Sequence, residues 1–387
     1  MLYKDIGYFK GLNALRFIAA SLVVLHHGEA LRIKLNTVNY KNLALFNLGG
    51  VAVEFFFVLS GFLITYLMLK EIKVSNTIAV RKFYFRRIVR IWPLYFLLVF
   101  LGTLLIPFLV QQFNVDYEVP YTFKDTWMYF VFFMPSLVTY YWGHHLLEPL
   151  WSIGVEEWFY LMWAPLIKLF KQHIFKLLAG VLVLKYILNA LANYVFEDMG
   201  LFREIVNTFA VESMAVGGLG ALFLYKAARP VKEMPLFGPV GRVIVLALLG
   251  SFMFFENEYW SVFHPHFFSR PVLDLTFIYV IILVSIGYKE SKFSNSKLLN
   301  WLGELSYGIY MYHMLVIGVV LVVVKKMPFL NSLPLLGSIV FYILVFLLTI
   351  TVAALSKKYF ENRFMPKKKT AEIKTVQPQS AAVKEVE

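Results

Sequence analysis

Apolar runs near twenty residues long recur along almost all of this 387-residue chain, and that recurrence leaves few folds open to it. About twenty apolar residues are what an α-helix needs to cross the hydrocarbon core of a bilayer. A transmembrane barrel would instead show shorter segments of alternating polarity. The expected fold class is therefore all-α: a polytopic membrane helix bundle. Composition agrees, since 59% of the residues are hydrophobic and only 16% are charged. Ten spans are expected, at about 12–31, 49–69, 92–110, 149–167, 177–196, 203–225, 241–255, 271–288, 303–324 and 335–355. The first contains Arg16 and no small-residue cleavage pattern follows it, so it reads as a retained helix and not a signal peptide.

The formal charge of +13 raises the possibility of nucleic acid, but its distribution points to membrane lipids. Roughly three quarters of the 37 Lys and Arg fall in or beside loops on one side of this span order, and the positive-inside rule makes that side cytoplasmic. Both termini then lie in the cytoplasm, and the expected location is the inner (cytoplasmic) cell membrane, crossed many times. No nucleic-acid partner is expected. Residues 1–360 form the transmembrane unit, and the basic segment 361–387 reads as a disordered cytoplasmic tail. Residues 123–141 are apolar enough to cross, yet a crossing there would invert every later loop. They read as an outer-face interfacial or re-entrant helix broken at Pro135.

Against this apolar background the polar residues stand out, because burying them in a membrane is costly. In LRFIAASLVVLHH, Arg16 and His27 lie three helical turns apart on nearly one face. GGVAVEFFFVLSGFLI carries Glu54 near the outer end of the second span, with Gly61 two turns on and Ser60 beside it. Close helix packing is the plainer role for Gly61. RKFYFRRIVRIWPLYF sets Arg86 and Arg90 one turn apart with Arg87 adjacent. These charges are explicable by topology alone, but three guanidinium forks also suit phosphate. WSIGVEEWFY places Ser152, Glu156 and Tyr160 on one stripe, with Glu157 about 100° away. In LSYGIYMYH, Ser306, Tyr310 and His313 share a face. The chain has no cysteine, and the remaining histidines sit mainly as adjacent pairs in separate regions, so no metal site is expected. Cationic groups toward the cytoplasm and acid/base groups farther out suit an anionic donor from below and an acceptor from above.

Those five motifs, in that order, resemble the acyltransferase-three family of integral-membrane O-acyltransferases, which modify bacterial surface glycans. The resemblance implies that His27 is the catalytic base or a transient acyl carrier, that Arg16 is the first-helix arginine, and that Glu156 fills the acidic position of the fourth-helix motif. Arg86, Arg87 and Arg90 fall on the arginine motif that handles the donor, usually acetyl-CoA. No bound cofactor is implied, because acyl-CoA is a substrate. The implied acceptor is a glycan or other hydroxylated molecule. Glu54 stands where many relatives carry Asp, and KKYFENRFM lacks the proline that commonly follows its Glu361. Without a hydrolase-like domain after the last span, the expectation is direct acylation or a separate envelope transferase or glycan-assembly partner. The expected mechanism has Glu156, with Glu54, orienting His27 or relaying its proton, and His313 contributing from mid-membrane. A secondary transporter or lipid-linked glycan flippase is the rival class, but no internal repeat is evident.

Overall fold

A computed structural model describes residues 3–366 apart from 8, 10, 115–118, 256–264, 288–291 and 328–332. Among them the regular elements are all helical. In chain order they are α1 (Gly11–Lys34), α2 (Gly49–Ser75), α3 (Val80–Phe100), α4 (Ile106–Gln112), α5 (Phe123–Val131), α6 (Pro135–Trp142), α7 (Leu150–Leu169) and α8 (Ile174–Ala190). There follow α9 (Gly200–Thr208), α10 (Val211–Lys226), α11 (Pro239–Phe255), α12 (Arg270–Gly287), α13 (Lys292–Asn295), α14 (Lys297–Glu304), α15 (Ser306–Lys325), α16 (Pro334–Ser356) and α17 (Asn362–Phe364). Eight helical segments among the described residues are long and apolar enough to cross a membrane. Of the other two expected spans, α7 carries Glu156, Glu157 and Lys168, and α11 is shorter at 17 residues.

The bundle is assembled around α2, whose Phe57, Val58, Phe62 and Tyr66 are fully buried. Helices in lipid gain little from hiding apolar surface from one another, so close packing of small residues must hold them together. Between α2 and α10 that packing is reciprocal. Gly61 lies against the Met214 carbonyl and Gly217 against the Val58 carbonyl, leaving no room for a Cβ at either position. Gly61 thus has the packing role expected for it. Gly61→Val should cost about 1–3 kcal/mol through overpacking, read as a lower fraction of monodisperse protein after detergent extraction. On the periphery, Leu335, Ile339, Ile343 and Leu347 are exposed along one stripe of α16, as a lipid-facing surface requires.

Three boundaries differ from the expectation. The segment read as one span over 203–225 is two helices, parted at Phe209 and Ala210. Lys185 of α8 donates to the carbonyls of Val206 and Phe209, satisfying acceptors that the helix end would otherwise leave bare. Residues 123–141 form α5 and α6, with the break at Phe132–Met134, where Phe133 takes a φ of 56° and Pro135 opens the second helix. Finally, a π-helical turn, Lys357–Glu361, carries α16 into α17, so helix continues past 360. Of the expected tail, residues 367–387 lie outside the described residues.

Candidate active site

Two of the cavities among the described residues share Phe57 in their walls. The larger, about 570 Å³, opens toward the face that carries the N-terminus, where Ile6, Gly7, Lys357 and Glu361 line it. Its walls carry Arg16 from α1, Arg87 and Arg90 from α3, and Glu156 from α7. Helix α3 begins twelve residues before the expected span and continues past Pro93 without a break, which is how its arginine motif reaches the cavity on a continuous helix. The fork of Arg87 stands over the rings of Phe83 and Tyr160, 5.8 and 5.7 Å from their centroids. Its Nε is buried without a hydrogen-bond partner, whereas buried donors are ordinarily paired. Arg86 does not line this cavity; it faces Glu71 at 3.9 Å.

The carboxylate of Glu156 is held from two sides. Ser60 of α2 donates to Oε1 at 2.7 Å and Tyr160 donates to Oε2 at 2.8 Å. Ser152, Glu156 and Tyr160, expected on one stripe, all line the cavity, with Ser152 bonded to Tyr310 at 2.7 Å. Glu157 turns to α3 and accepts from Trp92 Nε1 at 2.9 Å. Arg16 donates to Asn13 at 3.2 Å.

Farther from the N-terminal face, Tyr310 and Phe56 stand 6.1 Å apart with ring planes at 72°. Behind Tyr310 lies a histidine pair that bridges α1 and α15. His313 Nδ1 is 2.5 Å from the Tyr310 carbonyl, and its Nε2 is 3.1 Å from His27 Nδ1. Because a carbonyl only accepts, His313 Nδ1 carries a proton. In the neutral pair His313 Nε2 must then accept from His27 Nδ1–H. His27 Nδ1 also points at the Val23 carbonyl, 3.1 Å away, which favours the same tautomer. The lone pair of His27 is left on Nε2. His27 is half-buried and is absent from the lining of both cavities.

This arrangement departs from the expected relay. His27 is oriented by His313 and Val23, whereas Glu156 bonds Ser60 and Tyr160. Glu54 belongs to a third group: it accepts from Ser213 of α10 and lies beside Asp274 of α12. In the same region Lys185 stands 3.4 Å from Glu212. Glu54 also lines the second cavity, about 280 Å³, on the opposite face of the bundle. Next to that cavity, buried His145 accepts from Leu147 N at 3.1 Å and orients Thr139 at 3.4 Å. Burial pushes its pKa down to about 3, with Lys34 and His144 adding to the effect. Among the described residues no three His, Asp or Glu converge as a metal-ligand set.

Two buried groups escaped the sequence reading. Asp274 and Glu212 lie in long apolar helices, and Glu212 is paired by a lysine from another span. Glu29 and Arg32 form an ion pair at 2.7 Å with almost no exposure. Arg32 also donates to Ser338 at 2.6 Å, and Tyr342 to Glu29 at 2.5 Å, which ties the end of α1 to α16. Their signal was the acid and base three residues apart on one helix face.

Comparison with known sequences adds to this geometry. The profile of the family described as an acyltransferase domain matches residues 9–357. Similar proteins include the peptidoglycan O-acetyltransferase OatA of Listeria monocytogenes, 24% identical over 79% of this chain and 49% of that protein. The O-acetyltransferase OatA of Staphylococcus aureus is 26% identical over 95% of this chain and 61% of its own length. The putative peptidoglycan O-acetyltransferase YrhL of Bacillus subtilis is 25% identical over 79% and 48%. The chain thus spans about half to three-fifths of the length of these relatives. No solved structure matches.

Proposed function

Because the chain belongs to the acyltransferase-domain family, we propose that it is a membrane O-acyltransferase, moving an acetyl group from cytosolic acetyl-CoA to a hydroxyl of a cell-envelope glycan. Peptidoglycan, the acceptor in the names of two relatives, is the first to test. In this reading the N-terminal face is cytoplasmic and the membrane is the inner one. The observation that carries it is the larger cavity, with arginines in its wall and an unmet buried Arg87 Nε. A phosphate-bearing donor supplies the acceptor atoms that such a wall lacks.

The donor's phosphates dock on Arg87 and Arg90 while its thioester arm extends past Arg16 and Glu156 toward Phe56 and Tyr310. His27 Nε2 takes the proton of the acceptor hydroxyl as its oxygen attacks the thioester carbon. The C–S bond breaks, an ester C–O bond forms, and the proton ends on the departing CoA thiol. His313 is a positioning residue that fixes the tautomer of His27. Phe56 and Tyr310 must part for the acyl group to reach that ring, which makes them the gate of the cavity.

Labelled acetyl-CoA supplied to membranes of an expressing strain should place base-labile label in the glycan fraction. A transporter or flippase would leave the glycan unlabelled, and that result would remove the enzyme reading. Arg90→Ala should raise the apparent KM for acetyl-CoA about tenfold, as expected for loss of a charge-assisted phosphate contact. An unchanged dependence on donor concentration would count against docking there.

A further inference from the structure

The smaller cavity lies on the face opposite the N-terminus, between α2, α6, α7, α9 and the start of α12. It sits directly across an aromatic wall from the donor cavity. Phe57 lines both cavities, and its ring meets that of Trp151 at 5.8 Å and 71°. Trp151 lines the smaller cavity. At about 280 Å³ this space is near the lower end of roughly 300–1,000 Å³ for small-ligand sites, room for about one sugar ring.

Its chemistry is that of a hydroxyl-rich ligand. The indole of Trp151 is joined by polar groups from several elements, among them Asn207, Thr139 and Arg270. An aromatic face takes the C–H side of a pyranose while amides, hydroxyls and charged groups take its hydroxyls. The charge is lopsided. Glu54, Glu148 and Glu204 line the cavity with Arg270 as the cationic side chain among its lining residues. Their oxygens are fixed: Thr208 donates to Glu204 at 3.0 Å, Ser213 donates to Glu54, and Glu148 lies 2.8 Å from His144. Arg270 in turn reaches the Asn207 carbonyl at 3.4 Å. A cavity with that excess of carboxylates repels an anionic guest and attracts a neutral or amino-bearing one.

We infer that this cavity is an acceptor subsite holding a sugar unit of the glycan beside the one that reaches His27, which does not line it, that Trp151 is its platform, and that it selects a neutral or amino-bearing hexose unit while rejecting a uronate. The inference rests on the transferase reading above and names the acceptor class for it.

The test uses the full chain in nanodiscs with labelled acetyl-CoA and three probes of one length: tetra-N-acetylchitotetraose, chitotetraose and tetragalacturonate. The first two should be acetylated, with the uronate at least about tenfold poorer in kcat/KM. Glu204→Lys should raise the KM for chitotetraose about tenfold and lower that for tetragalacturonate, with the KM for acetyl-CoA within about twofold of wild type. Trp151→Ala should raise the KM for both accepted probes. Saturable use of acetyl-CoA by each variant shows that it is folded. The assignment is overturned if the wild type uses the uronate as well as the others, if it hydrolyses acetyl-CoA but acetylates no probe, or if neither variant moves an acceptor KM. Absence of any thioester turnover by the wild type is a different result, and removes the transferase reading beneath it.

Discussion

His27→Ala is expected to lower acyl transfer by about 10²–10⁴-fold, the range for loss of a positioned general base, with folded yield unchanged. The expectation rests on tautomer logic as much as on position. The Tyr310 carbonyl fixes the proton on His313 Nδ1, His313 Nε2 accepts from His27 Nδ1, and the lone pair of His27 Nε2 is left for the acceptor hydroxyl. His313→Gln retains a side-chain acceptor and should lose less activity than His313→Leu, which leaves the Val23 carbonyl alone to hold the His27 tautomer. Rates measured at saturating acetyl-CoA, with donor KM followed alongside, separate this from a general loss of fold. Substantial residual transfer by His27→Ala would remove it from the chemistry.

The largest effect on stability is expected at the far end of the same helix. Arg32→Ala leaves the Glu29 carboxylate buried without its cation, and breaking a buried pair from one side costs about 3–5 kcal/mol. Glu29 keeps Tyr342 and the Tyr40 amide as donors, which sets the cost toward the lower end of that range. Removing both charges together, as Glu29→Gln with Arg32→Met, should cost less than either single truncation, since no uncompensated ion remains. Thermal unfolding in nanodiscs reads the comparison. If the double variant were the least stable of the set, the pair would be contributing net stability, contrary to this account.

The fold class was legible because membrane burial imposes a single rule, twenty apolar residues per crossing, that acts locally along the chain. The same locality explains which parts were not legible. Helical spacing tells which residues share a face but not which way that face is turned. Thus the stripe of Ser152, Glu156 and Tyr160 was readable, while the choice of Arg87 and Arg90 over Arg86 was not. A pattern read within one span is equally silent about its neighbours. Glu54 therefore looked like a companion of Glu156, yet the packing of α2 on α10 and α12 sends it to Ser213 and the opposite cavity. The contact between His27 and His313 joins residues 286 positions apart, beyond any local signal. The break at Phe209 was hidden for a related reason: the lysine that satisfies its carbonyls comes from another span. Glu29 and Arg32 fell at the end of an expected span, where an acid and a base usually meet water and carry little weight.

In the proposed mechanism acyl groups pass through the bundle from an arginine-walled cavity on one face to an acceptor on the other. Oriented proteoliposomes test it most directly, with membrane-impermeant acetyl-CoA confined to the N-terminal face and a glycan acceptor confined to the opposite one. Label should appear on the glycan as a base-labile ester, and should not appear when donor and acceptor exchange sides. Transfer seen only with both substrates on the same side, or equally in either orientation, would contradict the account.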